Sequence, residues 1–474
     1  LKQKFNIFSV VHLLIFIASL VTDWYRPLAI ILLISIILLI LEKLGKGVVL
    51  REIIALHTTF VCVAVPVLGY AVFDKTNRLA RIFYKYMMVP EHVYFSFALP
   101  AISGFVLVLC WPIVNGKYSD QGSFLQEAIA RAKKALQKSP TTGLYLLAAG
   151  TVMFWVSKFL PSALQFAFML FFFAGFAGFL YVYFLDNFRW RRLVLFCFGA
   201  FIILTALSSG MFTIVAYMSL TLFSFFFLGT KTSLFKKVLL FALGVIMLLL
   251  IQSVKPTYRM LTWNGKFEGN KGALFLKLII DKIKNPQLES ADAFFPLYVR
   301  INQGYNISRV MYRFPDKVPY DGGRNLFINI ASSLVPRIFW PDKPEAGGKY
   351  NMQYYAGLTI SGWSTNVGPL GEAYGSFGNA GGILFMILLA GLIRWSYCLV
   401  FKKAIRIPLL IFWIPVLFYQ VTYAAETDSL QIFNSLAKSA FFIWLLFRQW
   451  PQWFGTKKPR PGLNIVPEHE FVQT

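Results

Sequence analysis

Residues 335–348 read VPRIFWPDKPEAGG, with Arg337, Asp342, Lys343 and Glu345 set among three prolines. Proline fixes the backbone and removes amide donors, so side chains on such a segment are held with little further ordering cost. Arg337 offers a planar fork of donors that suits a phosphate. Lys343 adds a compact charge, and Asp342 either pairs with one of these cations or accepts a proton. The alternative is a rigid loop with surface ion pairs. More cations precede this stretch: Lys255 and Arg259 in QSVKPTYR, Arg300 in LYVRINQG, then Arg309, Arg313 and Arg324. Arg259 lies just outside an apolar run and Arg300 sits within an apolar helix, and cations so placed need partners. The surrounding sequence lacks the carboxylates to neutralise them all. A phosphate-bearing ligand would supply the missing charge; lipid headgroups are the alternative.

A third stretch is NVGPLGEAYGSFGNAGG, residues 366–382. Pro369 followed by helix formers reads as a helix start. Gly371, Gly375, Gly378 and Gly382 form one stripe that lets another helix approach. Glu372 stands near the amino end, either as a helix-dipole partner or as a general base at the mouth of a bundle. Asp23, in the first outer loop, is an outlying candidate for the same task. The LSSGMFT break at 207–213 reads as a tight turn, or else as polar residues lining a cavity floor.

Helices must position these groups. The 474-residue chain is 57% hydrophobic and only 14% charged, against about 25% charged for soluble domains. Many runs reach the roughly 18 apolar residues that cross a bilayer. The expected fold is an all-α polytopic membrane protein with about twelve transmembrane helices. They fall near 5–21, 27–41, 53–73, 93–114, 142–160, 162–185, 193–209, 211–229, 237–254, 379–399, 406–424 and 430–447. The first nine occupy 1–254 and the last three 379–447. Between them, 255–378 is expected to fold as an extracytoplasmic helical cap, with an amphipathic helix at 270–285 and another at 294–314 ended by Pro315. Residues 448–474 form a tail. The first run lacks a small-residue cleavage site and reads as a retained helix.

Lys and Arg cluster in connections that share one side, at 43–51, 117–138, 189–192, 231–237 and 402–406; the 74–92 loop departs from this trend. That side is expected to be cytoplasmic, with both termini on it. Segment 119–138 places Phe124, Ala128, Ile129, Ala132 and Leu136 on one face and most of its Lys and Arg elsewhere. It reads as an interfacial helix on anionic lipid, or else as a solvated linker.

The formal charge of +25 is thus assigned to membrane orientation and an anionic ligand rather than to nucleic acid. Cys62, Cys110, Cys197 and Cys398 lie in apolar runs without metal-ligand spacing. No metal site or cofactor is expected. His12, His57 and His92 lie in or beside apolar runs and His469 lies in the tail, so the large loop holds no histidine. No Walker A motif or DxD pair signals nucleotide hydrolysis or metal-dependent nucleotide-sugar transfer.

Read in order, R…PRxxWPDKP…GPxGExYxxFGxxGG resembles the Wzy-type polymerases of lipid-linked oligosaccharide repeat units. The matching residues are Arg300, Pro336, Arg337, Trp340, Pro341, Asp342, Lys343 and Pro344, then Gly368, Pro369, Gly371, Glu372, Tyr374, Phe377, Gly378, Gly381 and Gly382. The motif covers about 300–382; elsewhere the likeness is one of topology. The resemblance implies a glycosyltransferase of the bacterial inner membrane, GT-C-like in plan. It would join undecaprenyl-pyrophosphate-linked units into an O-antigen, capsule or exopolysaccharide, releasing undecaprenyl pyrophosphate without a metal. Arg259, Arg300, Arg337 and Lys343 would hold the pyrophosphate, and Glu372 or else Asp342 would polarise the acceptor hydroxyl. Tyr258, Trp340 and Tyr374 would contact sugar. Chain-length regulator and flippase proteins would be partners. Related ligases use a loop histidine, which this loop lacks. An O-antigen ligase-like transferase and a lipid-linked oligosaccharide transporter are the other readings; against the transporter stands the absence of paired halves.

Overall fold

The computed structural model describes residues 7–113, 118–210, 212–228, 233–263, 267–284, 291–335, 339–342, 348–360 and 365–454. These are helical, with no β-strand among them. The amino-terminal helices are α1 (Ile7–Val21), α2 (Tyr25–Lys43), α3 (Leu50–Thr59), α4 (Val65–Ala71), α5 (Arg78–Ile82) and α6 (Glu91–Cys110). A π-turn at Phe60–Ala64 joins α3 to α4. Then come α7 (Gly122–Lys138), α8 (Thr142–Ser157), α9 (Ser162–Phe184), α10 (Arg191–Ser209), α11 (Thr213–Phe226) and α12 (Leu234–Trp263). The next helices are α13 (Lys271–Lys284), α14 (Ala291–Ile301), α15 (Gln303–Arg313), α16 (Arg324–Leu334) and α17 (Gly348–Ala356). The chain closes with α18 (Gly368–Ala404), α19 (Ile414–Thr422) and α20 (Ser429–Gln449).

Among the described residues nine helical stretches are long and apolar enough to cross a membrane. A chain with that many is membrane-embedded, because only helices or closed barrels satisfy their backbone in lipid. Each of the twelve expected runs contains a helix, but α1, α8 and α11 have only 15, 16 and 14 residues. Outward-facing Val238, Leu239, Leu243, Ile246 and Met247 give α12 an exposed apolar face, as lipid contact requires.

The inserted segment is shorter than expected. Helix α12 runs through Pro256 to Trp263, and α18 starts at Gly368, so the connection is 264–367. Helix α18 is kinked at Gly378, where φ is 67° and ψ is −157°, a conformation open to glycine alone. The expected 294–314 helix is two: α14 and α15 meet at Asn302, whose Nδ2 donates to the Tyr298 hydroxyl at 2.8 Å. Beyond that break α15 packs against α4 and the π-turn. Gly304 permits this, since a Cβ there would stand 2.3 Å from Pro66 Cγ.

The apolar face of α7, with Phe124, Leu125, Ala128, Ala132 and Leu136, is buried and packs against the 3₁₀ turn Pro408–Trp413. The face that the sequence assigns to lipid is therefore covered by protein. Helices α8 and α9 pack through glycines. A Cβ on Gly178 would meet Leu146 Cβ at 2.8 Å and the Gly143 carbonyl oxygen at 2.9 Å. Backbone cannot yield there, so Gly178→Val is expected to cost about 1–3 kcal/mol, seen as a lower unfolding temperature in detergent.

Candidate functional site: a cation cluster with a histidine–glutamate pair

Helix α10 ends at Ser209, Gly210 is left-handed at φ 63° and α11 starts at Thr213, so the chain turns within 207–213, of which Met211 lies outside the described residues. A helix end leaves carbonyls without partners, and cations favour it. Side chains from α12 and α13 satisfy them. The Tyr258 hydroxyl donates to the Leu207 carbonyl. Arg259 Nε donates to Gly210 at 2.9 Å, Trp263 Nε1 to Ser209 at 3.2 Å and Lys271 Nζ to Ser208 at 3.4 Å. The Arg259 guanidinium also lies 4.4 Å from the Trp263 ring centroid. Tyr258, buried between Phe212 and Phe275, is thus a packing and capping residue.

One helical turn before Arg259, Lys255 is 3% exposed and has no hydrogen bond or ion pair among the described residues. The charges of Arg259 and Arg300 both act on it, and on each other. Helices α12 and α14 thus gather two of the expected phosphate ligands, Arg259 and Arg300, and add Lys255. A fourth group joins them from far along the chain. Glu426, in the 3₁₀ turn Ala424–Glu426 between α19 and α20, places Oε2 3.6 Å from Arg300 Nη2. Its Oε1 lies 3.3 Å from His57 Nε2 of α3.

The expected carboxylates are placed differently. Glu372 is 0% exposed. Its Oε1 accepts from Asn351 Nδ2 at 2.6 Å and its Oε2 from the Ser429 amide at 2.9 Å. It therefore caps α20 from a neighbouring helix beside Asp428, which accepts from the Gln431 amide at 2.6 Å and from Asn366 Nδ2 at 2.9 Å. Glu372 thus serves the amino end of α20 rather than the dipole of its own helix, and its side chain has no exposed surface. Removing it strands buried donors, so Glu372→Ala is expected to cost about 1–3 kcal/mol, read as lost thermal stability whether or not substrate is present. Asp342 is exposed and Trp340 half-buried, while Arg337 and Lys343 lie outside the described residues. Tyr374 packs edge-on against Phe97, with centroids 4.9 Å apart, and against Tyr320. Like Tyr258, it is held in the core. Asp23 sits at the surface, accepting from the Tyr25 hydroxyl at 2.6 Å.

The glycines of 366–382 meet several partners rather than one helix. A Cβ on Gly375 would come within 2.5 Å of Tyr355, and one on Gly382 within 2.7 Å of Phe97. Gly368, at φ 72°, lies against the Ala425 carbonyl oxygen, 2.5 Å from where a Cβ would be. The start of α18 thus seats the turn that carries Glu426.

Among the described residues no group of three or more His, Cys, Asp or Glu could hold a metal ion. The arrangement can bind an anion at Lys255, Arg259 and Arg300, with a carboxylate and an imidazole beside it. These features define a polytopic helical membrane protein in which α12 and α14 gather a partly buried cation cluster. Residues 122–404 match the family described as a domain of unknown function, DUF8712, and the chain belongs to that family. No curated protein and no solved structure matches it. The matched region includes Lys255, Arg259, Arg300 and Glu372 but not His57 or Glu426.

Proposed function

We propose that this protein is a glycosyltransferase that polymerises oligosaccharide units carried on undecaprenyl pyrophosphate, in a bacterial inner membrane. The 264–367 segment faces the extracytoplasmic side and both termini face the cytoplasm, following the basic connections. One observation carries the reading. Lys255, Arg259 and Arg300 are gathered at the junction of α12 and α14, and Glu426 is the one carboxylate paired with them among the described residues. A pyrophosphate leaving group develops negative charge as its bond to the sugar breaks, and preorganised cations stabilise that charge. The resemblance of 300–382 to the Wzy-type polymerases supports the same substrate, with Arg337 and Lys343 as further ligands. The polyprenyl chain would lie along apolar helix surfaces.

The reading is tested with purified protein in nanodiscs, given undecaprenyl-pyrophosphate-linked repeat units of its own organism. A ladder of products on a gel, retained in EDTA, is the expected result. Movement of labelled lipid-linked units across liposomes without elongation would replace it with transport, and transfer only to a lipid A acceptor with ligation.

A further inference from the structure

Of the two expected general bases, Glu372 has both oxygens engaged and no exposed surface, and the exposed Asp342 makes no contact with the cation cluster among the described residues, so the proton of the acceptor hydroxyl needs a base beside the cations. We infer that Glu426 takes it, with His57 as the residue that positions Glu426; this rests on the transferase reading above. Three observations meet at Glu426. Its side chain is 20% exposed, that of His57 14% and that of Arg300 36%, so the group is reachable where Glu372 is not. Its Oε2 faces Arg300, and its Oε1 faces His57 Nε2. The carboxylate therefore stands next to the cations that receive the leaving group, as transfer between neighbouring reactants requires.

The turn that carries Glu426 is held on several sides. Gly368 lets α18 approach the Ala425 carbonyl. Two residues further on, Asp428 binds Asn366 Nδ2 at 2.9 Å and Glu372 binds the Ser429 amide. Glu372 is thus a positioning residue for the Glu426 turn. It links the glycine-rich stretch 366–382 to the site without touching substrate.

In the step itself the acceptor hydroxyl oxygen forms a bond to the anomeric carbon of the donor sugar. Its proton passes to the Glu426 carboxylate. The bond from the anomeric carbon to the phosphate oxygen breaks, and its electron pair leaves on undecaprenyl pyrophosphate beside Lys255, Arg259 and Arg300. Glu426 then returns the proton to water, and no oxidant or metal is consumed.

The test uses the full chain in nanodiscs with undecaprenyl-pyrophosphate-linked repeat units as substrate and undecaprenyl pyrophosphate as competitor. Glu426→Gln is expected to slow elongation about 10²–10⁴-fold while binding of undecaprenyl pyrophosphate persists. His57→Leu is expected to lose turnover with KM little changed. His57→Gln, whose amide nitrogen can donate to the same carboxylate oxygen, is expected to restore it, a rescue that a merely structural histidine would not show. If Glu426→Gln does not fold, as its unfolding temperature would reveal, the His57 pair decides: equal rates for Leu and Gln overturn the inference. Wild-type elongation with an equally active Glu426→Gln overturns it and leaves the polymerase reading standing. A wild type that neither elongates nor binds undecaprenyl pyrophosphate overturns both.

Discussion

Replacing Arg300 with alanine is expected to slow transfer from a pyrophosphate-linked donor by about 10²–10³-fold, the usual loss when one preorganised donor to a developing oxyanion is removed. The loss should be larger than at Arg259, because the two cations are differently committed. Arg259 spends Nε on the Gly210 carbonyl and stacks on Trp263, so Arg259→Ala should cost stability as well as rate. Among the described residues Arg300 has one ion-pair contact, 3.6 Å from Glu426, whereas Arg259 bonds a backbone carbonyl. Arg300→Lys keeps the charge but not the fork, and should recover only part of the rate. Titrating competition by undecaprenyl pyrophosphate in each variant checks the assignment: Arg300→Ala should weaken it and Arg309→Ala should not. Full activity in Arg300→Ala would remove this cluster from the mechanism.

Replacing Asp120 with asparagine is expected to cost about 3–5 kcal/mol, the range for removing one partner of a buried ion pair. Asp120 Oδ2 lies 2.6 Å from Lys43 Nζ and 2.9 Å from Arg51 Nη2. Glu52 Oε1 receives Lys43 at 2.9 Å, so two cations and two carboxylates balance in a buried cluster. Arg51 also donates to the Leu109 and Trp111 carbonyls at 2.8 and 2.9 Å. The cluster joins the end of α2, the start of α3, the end of α6 and the approach to α7. Without Asp120 a positive charge is left buried, and these four parts lose their common anchor.

The same group sets a pH dependence. Burial alone would raise the Asp120 carboxyl, but the charges of Arg51 and Lys43 prevail and hold it below its ordinary value of 3.8. A carboxyl lowered in the folded state binds fewer protons there than in the unfolded chain. Its stabilisation is therefore complete above the ordinary carboxylate range and is lost as pH falls from there toward the folded value. Thermal unfolding of the wild type should weaken through that acid window, and Asp120→Asn should show a flatter profile across it. An unchanged slope in the variant would assign the acid sensitivity to other groups.

Some features of the fold are carried by contiguous residues. Apolar run length is one, so each expected span contains a helix, although α12 and α18 extend past their apolar windows. Pro369 already read as the start of α18, whereas Pro256 sits inside α12 and hides its extension. The local pairing of Lys255 with Arg259, one turn apart on α12, is equally readable. That Arg300 joins them was legible only as a shared need for an anion. What tertiary structure alone decided is which distant groups meet. His57 and Glu426 are separated by 369 positions, and nothing in the neighbourhood of either marks it, since the signal is the contact itself. Glu372 shows the converse. Its place at the start of a glycine-rich helix suggested a base at the mouth of a bundle, yet the amide it accepts belongs to α20. Tyr258 and Tyr374, expected to contact sugar, are packed into the core. A residue's type states what chemistry it can do. Burial and partners, which depend on how helices far apart in the chain pack, state whether anything from outside can reach it.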